Sequence, residues 1–251
     1  MKKVNMFILT GYMVLCVACT SSNTEKKLSG NPIFPGWYAD PEGIVFDDEY
    51  WIYPTLSKLY GDDEVKYKSH AERKCNATFR DFIVQTHFDA FSSKDLVNWT
   101  KHQEVLSMEN ISWFDNALWA PSIIKANDKY YLFFGANNIQ NNDQVGGIGV
   151  SVSDKPEGPF TPEDDYIQGT YSIDPCCFKD TDGKYYLTMG GLWGGQLDQY
   201  RNNKWSADNK EPQGKEPACT PKIALLKDNM KELAEDLRDL VIVDEKGQPL
   251  T

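Results

Sequence analysis

The sequence predicts an all-β fold of repeated four-stranded units, the architecture of a β-propeller. Three segments share one pattern, in which aromatic and β-branched residues flank a short polar turn: 43–53, 122–134 and 176–189. A proline lies at or just before the start of each segment: Pro41, Pro121 and Pro175. Short strands that recur with turn signals predict propeller blades, which must stack on one another to bury their faces.

Each of the three segments has the composition of a β-hairpin. The first turns at 47–49, the second at 127–128 and the third at 180–183, and all three turns are rich in Asp, Asn or Gly. Such residues tolerate the backbone angles of tight turns, whereas Ile, Val, Tyr and Phe on either side favour strands. Each segment therefore predicts the first two strands of a blade.

A second element follows each hairpin, a strand of small and apolar residues that runs into a turn. It recurs at 91–99, 150–160 and, in the third unit, 223–230. The segment 222–243 also has apolar residues near helical spacing, namely Leu226, Met230, Leu233, Leu237 and Leu240. We predict a single helical turn or short helix there, inside a long loop.

The composition restricts the partners. The 251 residues carry a formal net charge of −11, which argues against a protein that binds nucleic acid through its phosphates. The three histidines are scattered, and among the cysteines after Cys19 (Cys75, Cys176, Cys177 and Cys219) no pair has the spacing of a zinc site, so we expect no metal centre built from them. Cys176 and Cys177 are adjacent and would point to opposite faces of a strand, so we expect no disulfide between them.

The first residues predict export. Lys2 and Lys3 precede an apolar stretch, 6–18, that is short for a membrane span and typical of a secretory signal. The segment 16–19 resembles a bacterial lipobox with Cys19 as the acylated residue, although Cys16 stands where Leu is usual; a plain signal peptide is the alternative. We therefore predict a signal peptide over 1–18, a flexible tether over 19–30 and a catalytic domain over 31–251. The protein would be a lipoprotein of the bacterial cell envelope or surface, bound to the membrane only through its lipid.

Candidate site residues precede the prolines of the three units. The motifs are Trp-Tyr-Ala-Asp-Pro-Glu-Gly with Asp40, Leu-Trp-Ala-Pro-Ser with Trp119, and Ser-Ile-Asp-Pro with Asp174. An Asp-Pro pair alone is ordinary turn chemistry. In a propeller, however, the innermost strands of successive blades converge on one axial funnel, so these residues would meet. Two carboxylates beside an aromatic face suit the hydrolysis of a sugar.

These motifs, together with Ser-Ser-Lys-Asp-Leu-Val-Asn-Trp at 92–99, are similar to glycoside hydrolase family 43. The resemblance implies a five-bladed β-propeller and hydrolysis of O-glycosidic bonds with inversion. By motif, Asp40 matches the general base and Asp174 the aspartate that modulates the pKa of the acid and orients the substrate. Trp119 falls where the family lines its sugar site. Trp37 and Trp193 are weaker candidates for stacking on the sugar, and a role in the core is equally open for both.

The resemblance also sets expectations about substrate and cofactor. The segment 42–46 and the insert around 82–91 look more like β-xylosidase and α-L-arabinofuranosidase members than like endo-arabinanases. The expected partner is thus a xylose- or arabinose-containing oligosaccharide or polysaccharide. No cofactor is expected to be required; some family members hold a channel calcium, for which no ligand is assigned here.

The general acid is missing from the motif match. The family supplies a Glu from a blade after the Ser-Ile-Asp-Pro unit, and the glutamates beyond it (Glu232, Glu235 and Glu245) have no matching context. About three blades can be counted, where five would close the ring. We expect a truncated form that lacks the general acid and catalyses little.

Two other functions stay open at this stage. The related fructan-hydrolysing propellers also begin with an Asp-Pro motif, but use a nucleophile and retain configuration; the Trp-Ala-Pro motif and the lack of an Asn-Asp-Pro-Asn opening argue against them. A non-catalytic glycan-binding lipoprotein is the alternative from another class. Asp40 and Asp174 argue against it, and the missing acid argues for it.

Overall fold

The computed structural model describes residues 30, 32–34, 36–58, 85–114, 117–137, 146–191, 197–216 and 219–249. The predicted signal peptide, Cys19 and nearly all of the tether lie outside these residues, as do Cys75 and Trp193. In the described part, no helix is both long and apolar enough to cross a membrane.

The described residues form twelve strands and three short 3-10 turns. The strands are β1 (Trp37–Phe46), β2 (Glu49–Lys58), β3 (His87–Ser93), β4 (Thr100–Ser107), β5 (Leu118–Ala126), β6 (Lys129–Asn137), β7 (Gly146–Ser153), β8 (Thr161–Pro162), β9 (Cys176–Lys179), β10 (Tyr185–Met189), β11 (Lys222–Leu225) and β12 (Arg238–Asp239). The 3-10 turns are Met108–Asn110, Leu197–Gln199 and Arg201–Asn203.

The strands form three four-stranded sheets in which sequence neighbours pair antiparallel: β1–β4, β5–β8 and β9–β12. We name these sheets blade 1, blade 2 and blade 3. Strand β5 contacts β1 on one side and β9 on the other, so the first strands of the blades lie next to each other. The predicted all-β fold and the count of about three propeller blades are confirmed.

The hairpins turn where the sequence predicts. Asp47 and Asp48 have φ of 47° and 65°, and Asn127 and Asp128 have φ of 51° and 59°. Two central residues with positive φ are the pattern of the turns that match the twist of hairpin strands, and Asn and Asp adopt it readily. The local sequence thus determines the registers β1–β2 and β5–β6.

Two hydrophobic cores lie between the blades, and β6 contributes to both. Tyr130, Leu132 and Phe134 pack into the core that blade 2 shares with blade 1. Tyr131 and Phe133 pack into the core shared with blade 3. This alternation follows from the period of two along a strand, and it explains why a central blade carries a nearly continuous apolar run.

The short helix predicted within 222–243 was wrong. The segment forms β11 and β12, joined by turns, with a bridge between Leu226 and Leu233 and a hydrogen bond of 2.8 Å from the Lys227 N–H to the Glu232 carbonyl. Met230 has a φ of 62°, which a helix does not allow. Leu226, Met230 and Leu237 are buried between blades 2 and 3, so their spacing reflects contacts of a folded-back strand.

Candidate active site

The residues before the three prolines have equivalent backbone positions. The β1–β2 register shifts between Ala39 and Glu42, and the β5–β6 register shifts between Trp119 and Ser122. Each shift leaves an X-Pro pair out of the ladder, where the missing N–H of proline costs no strand hydrogen bond. The Asp174-Pro175 pair has the same place in the sequence of blade 3, just before β9.

The same three residues have a left-handed backbone. Asp40, Ala120 and Asp174 have φ of 46°, 24° and 56°. Such conformations cost roughly 1–3 kcal/mol each and persist only where the surroundings enforce them. In blades 1 and 2 the inner strand bends at this residue, and in blade 3 the chain bends at the equivalent residue just before β9. The side chains of Asp40 and Asp174 remain exposed to solvent there.

Asp174 is held by hydrogen bonds on its N-terminal side. The Gly191 N–H donates to Ser172 Oγ at 2.7 Å, the Ser172 hydroxyl donates to the Gly191 carbonyl at 3.1 Å, and the Gly190 N–H donates to the Ile173 carbonyl at 2.9 Å. A methyl group at Gly191 would lie 2.3 Å from Ile173 Cγ1 and 3.3 Å from Asp174 Oδ2. Only glycine allows this close approach, so Gly191 fixes the segment that carries Asp174.

The Asp174 carboxyl is coupled electrostatically to Asp40. The pKa of Asp174 is raised above its ordinary value, first by loss of solvation and second by repulsion from the Asp40 carboxylate. Asp174 is thus partly desolvated although its side chain is accessible. Repulsion of this kind requires the two carboxylates to be near each other, and it makes simultaneous ionisation costly. Strands β1 and β9 both contact β5, which is the arrangement that the expected convergence of Asp40 and Asp174 requires.

Trp119 is half-buried, and Gln85, two residues before β3, orients it. Its indole N–H donates to Gln85 Oε1, and the Leu118 N–H donates to the Gln85 carbonyl at 3.0 Å. Gln85 is itself buried, so its amide is restricted in orientation. No sequence motif indicates Gln85, because it lies 34 positions before Trp119 and outside every repeat.

Of the weaker aromatic candidates, Trp37 is described and Trp193 is not. Trp37 lies on β1, three residues before Asp40, with 59% of its surface exposed. It is therefore not a core residue in the described structure and has a free aromatic surface. Stacking of Trp37 or Trp193 on a sugar stays a prediction.

A buried polar network supports β1 behind Asp40. The Tyr38 hydroxyl donates to Asp89 Oδ2 at 2.7 Å, and Lys101 Nζ lies 3.0 Å from the same oxygen. The Glu104 N–H donates to Asp89 Oδ1 at 2.8 Å. Asp89 is fully buried and its charge is balanced by Lys101, as a buried carboxylate requires. No sequence motif indicates this network, since its members come from three strands.

The described residues also bear on metal binding and on the general acid. They contain no group of three or more His, Cys, Asp and Glu side chains able to hold a metal ion, and Cys176, Cys177 and Cys219 are free thiols. Glu232 and Glu235 are exposed and pair with Lys227 and Arg238, on the connection between the two outer strands of blade 3.

Comparison with known proteins places these features in a family. The model of glycosyl hydrolases family 43 matches residues 29–223. A xylosidase/arabinosidase of Bacteroides ovatus is 39% identical over 231 residues, covering 91% of this chain and 65% of its own length. The chain therefore spans just under two thirds of that relative.

Solved structures agree. The RS223 β-xylosidase has a TM-score of 0.73 and 40% identity, over 86% of this chain and 63% of its own. A β-xylosidase/α-arabinofuranosidase from a compost metagenome, described in complex with xylotriose and in a calcium-free form, has a TM-score of 0.71 and 37% identity, over 86% of this chain and 62% of its own. With its three blades and paired aspartates, the chain belongs to glycosyl hydrolase family 43.

Proposed function

We propose that the whole protein is an inverting glycosidase that cleaves xylose- or arabinose-containing plant oligosaccharides or polysaccharides, as a β-xylosidase or α-L-arabinofuranosidase. The observation that carries this proposal is the pair of aspartates, Asp40 and Asp174, brought together from blades 1 and 3. The names of the relatives of this chain, a xylosidase/arabinosidase and a β-xylosidase/α-arabinofuranosidase, support xylose and arabinose as the sugars. No cofactor enters the proposed reaction.

Asp40 is the general base in this proposal. Its carboxylate takes a proton from a water molecule while the water oxygen attacks the anomeric carbon and the glycosidic C–O bond breaks. A general acid gives its proton to the leaving oxygen, and in inverting enzymes the two carboxyls stand about 6.5–9.5 Å apart to admit the water. Asp40 suits the base because its side chain is exposed at a bend of the innermost strand.

In this proposal Asp174 modulates the pKa of the general acid and orients the substrate. A carboxylate beside the acid raises the pKa of that acid by repulsion, which keeps it protonated until the bond breaks. The Ser172–Gly191 hydrogen bonds restrict Asp174 to one place, as an orienting group requires. We assign the general acid to the part of the enzyme that the relatives have and this chain does not span.

Trp119 provides the apolar face for the sugar ring. Its indole N–H is taken by Gln85, so the ring plane is fixed before substrate arrives. A fixed aromatic surface binds a sugar without first losing side-chain freedom. Trp37 and Trp193 extend this surface in the proposal.

We also propose that the protein is exported and held at the bacterial cell surface by a lipid on Cys19. The support is the order of a basic start, an apolar stretch and the Cys16–Cys19 segment. An anchored enzyme would meet polysaccharide fragments outside the cell. Labelling with a radioactive fatty acid, in wild type and Cys19→Ser, tests the anchor; label retained by Cys19→Ser would contradict it.

Hydrolysis of aryl β-xyloside and aryl α-L-arabinofuranoside tests the function. The enzyme is the full reading frame that contains this chain, compared with Asp40→Asn and with Asp48→Asn as a matched control. Asp48 is also an aspartate with positive φ, but it lies in the exposed β1–β2 turn. We expect Asp40→Asn to lower kcat by about 10²–10⁴-fold and Asp48→Asn to leave it unchanged.

The stereochemistry of the product completes this test. We expect ¹H NMR to show the inverted anomer first. A retained anomer would instead indicate the nucleophilic mechanism of the fructan-hydrolysing propellers. Sugar binding without hydrolysis of either glycoside would replace the proposal with a glycan-binding role.

A further inference from the structure

In blades 1 and 2, the residue that follows the proline accepts a hydrogen bond from the next blade. Glu42, after Pro41 on β1, accepts a hydrogen bond at Oε2 from the Ile123 N–H at 3.0 Å. Ser122, after Pro121 on β5, accepts at Oγ from the Cys177 N–H at 2.9 Å. We call Glu42, Ser122, Ile123 and Cys177 the inter-blade belt.

The two bonds of the belt follow one rule. The acceptor side chain is the first residue after the proline of one blade, and the donor amide is the second residue after the proline of the next. Ser122 is also hydrogen bonded to the Glu42 carboxylate. That bond lowers the pKa of Glu42, so the Ser122 hydroxyl is the donor to the carboxylate. Because Ser122 and Ile123 are adjacent on β5, the two backbone-amide bonds link blade 3 to blade 1 through one peptide unit.

Burial of the inter-blade belt costs desolvation free energy. Ser122 is fully buried, Cys177 is nearly so, and Glu42 is half-buried. Desolvation raises the pKa of Glu42, while the hydrogen bonds from Ser122 and Ile123 act in the opposite direction. An apolar residue would avoid this cost of burial, so stability alone is a poor reason for a carboxylate at position 42.

The belt connects the two aspartates of the candidate site. Strands β1 and β9 carry or adjoin Asp40 and Asp174, and both contact β5. Blade 2 offers Ala120 at the equivalent position, so no side chain there bridges the two carboxylates. Glu42 lies two residues after Asp40, and Cys177 lies three residues after Asp174.

We propose that Glu42 and Ser122 are positioning residues that set the separation of the Asp40 and Asp174 carboxylates through the inter-blade belt. The catalytic relevance of that separation rests on the proposed function. The separation itself is a property of this chain, so it is tested without any measurement of activity.

The test is a ¹³C NMR titration of the Asp174 carboxyl in this chain, with amide exchange of Ile123 measured in parallel. The variants are Glu42→Leu, which has no acceptor, and Glu42→Gln, which keeps an acceptor oxygen in place. We expect Glu42→Leu to lower the pKa of Asp174 toward its ordinary value, because Asp40 moves away and water enters. We expect Ile123 exchange to become about tenfold faster in this variant.

The conservative variant distinguishes geometry from charge. Glu42→Gln should leave both the pKa of Asp174 and the exchange of Ile123 near their wild-type values. A shift of similar size in Glu42→Gln would mean that the charge acts directly, and it would overturn the proposal. An unchanged pKa of Asp174 in Glu42→Leu, with a lower melting temperature, would also overturn it, because the belt would then serve stability alone.

Ser122→Ala keeps the proposal testable if Glu42→Leu does not fold. This change removes the acceptor for the Cys177 N–H and the donor to Glu42. We expect faster exchange of Cys177 and a lower pKa of Asp174, and an unaltered pKa would contradict the proposal. Failure of the full enzyme to hydrolyse glycosides would remove the proposed function without affecting either result.

Discussion

Blade 2 and its two neighbours bend in the same way but carry different side chains at the bend. Asp40 in blade 1 and Asp174 in blade 3 have φ of 46° and 56°, and Ala120 in blade 2 has a φ of 24°. Alanine gains nothing chemically from such a conformation. The bend is therefore a feature of the blade fold that does not depend on an aspartate. The two carboxylates occupy a position that the fold already provides.

The two aspartates also differ in what supports them. Asp174 is fixed locally, by Ser172 and by the close approach of Gly191. The strand of Asp40 is supported from behind, where Tyr38 donates to the buried Asp89. These two supports share no residue, so Ser172 or Gly191 can be substituted without changing a contact of Tyr38 or Asp89.

The largest effect is expected at the support of Asp174. Gly191→Ala places a methyl group 2.3 Å from Ile173 Cγ1, and such overpacking costs about 1–3 kcal/mol. Gly43→Ala is the matched control, because nothing lies within 4 Å of its added methyl group and its position is also on an inner strand. Urea denaturation should show a lower unfolding free energy for Gly191→Ala and a change within about 0.5 kcal/mol for Gly43→Ala.

Equal stability of these two variants would contradict the role of Gly191. It would mean that the loop after β10 moves without cost, and that Asp174 is not held by it. The amide exchange of Gly190 would then also be as fast as in an open loop.

A smaller effect is expected at the bend without a carboxylate. Ala120→Gly relieves a left-handed backbone that costs an L-residue about 1–2 kcal/mol, but adds the entropy cost of glycine, about 0.5–1 kcal/mol. We expect the unfolding free energy to rise by less than about 1 kcal/mol. A loss of more than about 1 kcal/mol by thermal denaturation would show that the Ala120 backbone is relaxed and that the three bends are not equivalent.

Local sequence patterns were enough to predict the first two strands of each blade. Asp47-Asp48 and Asn127-Asp128 predict their turns because these residues tolerate positive φ without help from the rest of the protein. The prediction of a short helix within 222–243 failed for the opposite reason. Its leucines serve a core between blades 2 and 3, so their spacing is set by partners distant in sequence.

The candidate site likewise contains residues that local motifs predict and contacts that they do not predict. The motifs identified Asp40, Trp119 and Asp174, since these residues repeat with the blades. They did not identify Gln85 beside Trp119, or the bond from Glu42 to the Ile123 amide, because those contacts join positions 34 and 81 residues apart. Contacts between blades depend on tertiary packing, and no short motif encodes them.

The coupling of the two aspartates has a consequence for stability. The pKa of Asp174 is higher in the folded chain than in the unfolded one, so the folded state binds more protons between the two values. Stability therefore falls as the pH rises through that window. Removal of the Asp40 charge should reduce this fall and leave the part that arises from desolvation.

The most direct measurement is the pKa of the Asp174 carboxyl by ¹³C NMR in wild type and Asp40→Asn, with Asp48→Asn as the control. If the two aspartates share one site, the pKa of Asp174 falls in Asp40→Asn and does not change in Asp48→Asn. It should stay above its ordinary value in both, because Asp174 remains partly desolvated. An unchanged pKa of Asp174 in Asp40→Asn would mean that the carboxylates are not neighbours, and it would contradict the assignment of this site.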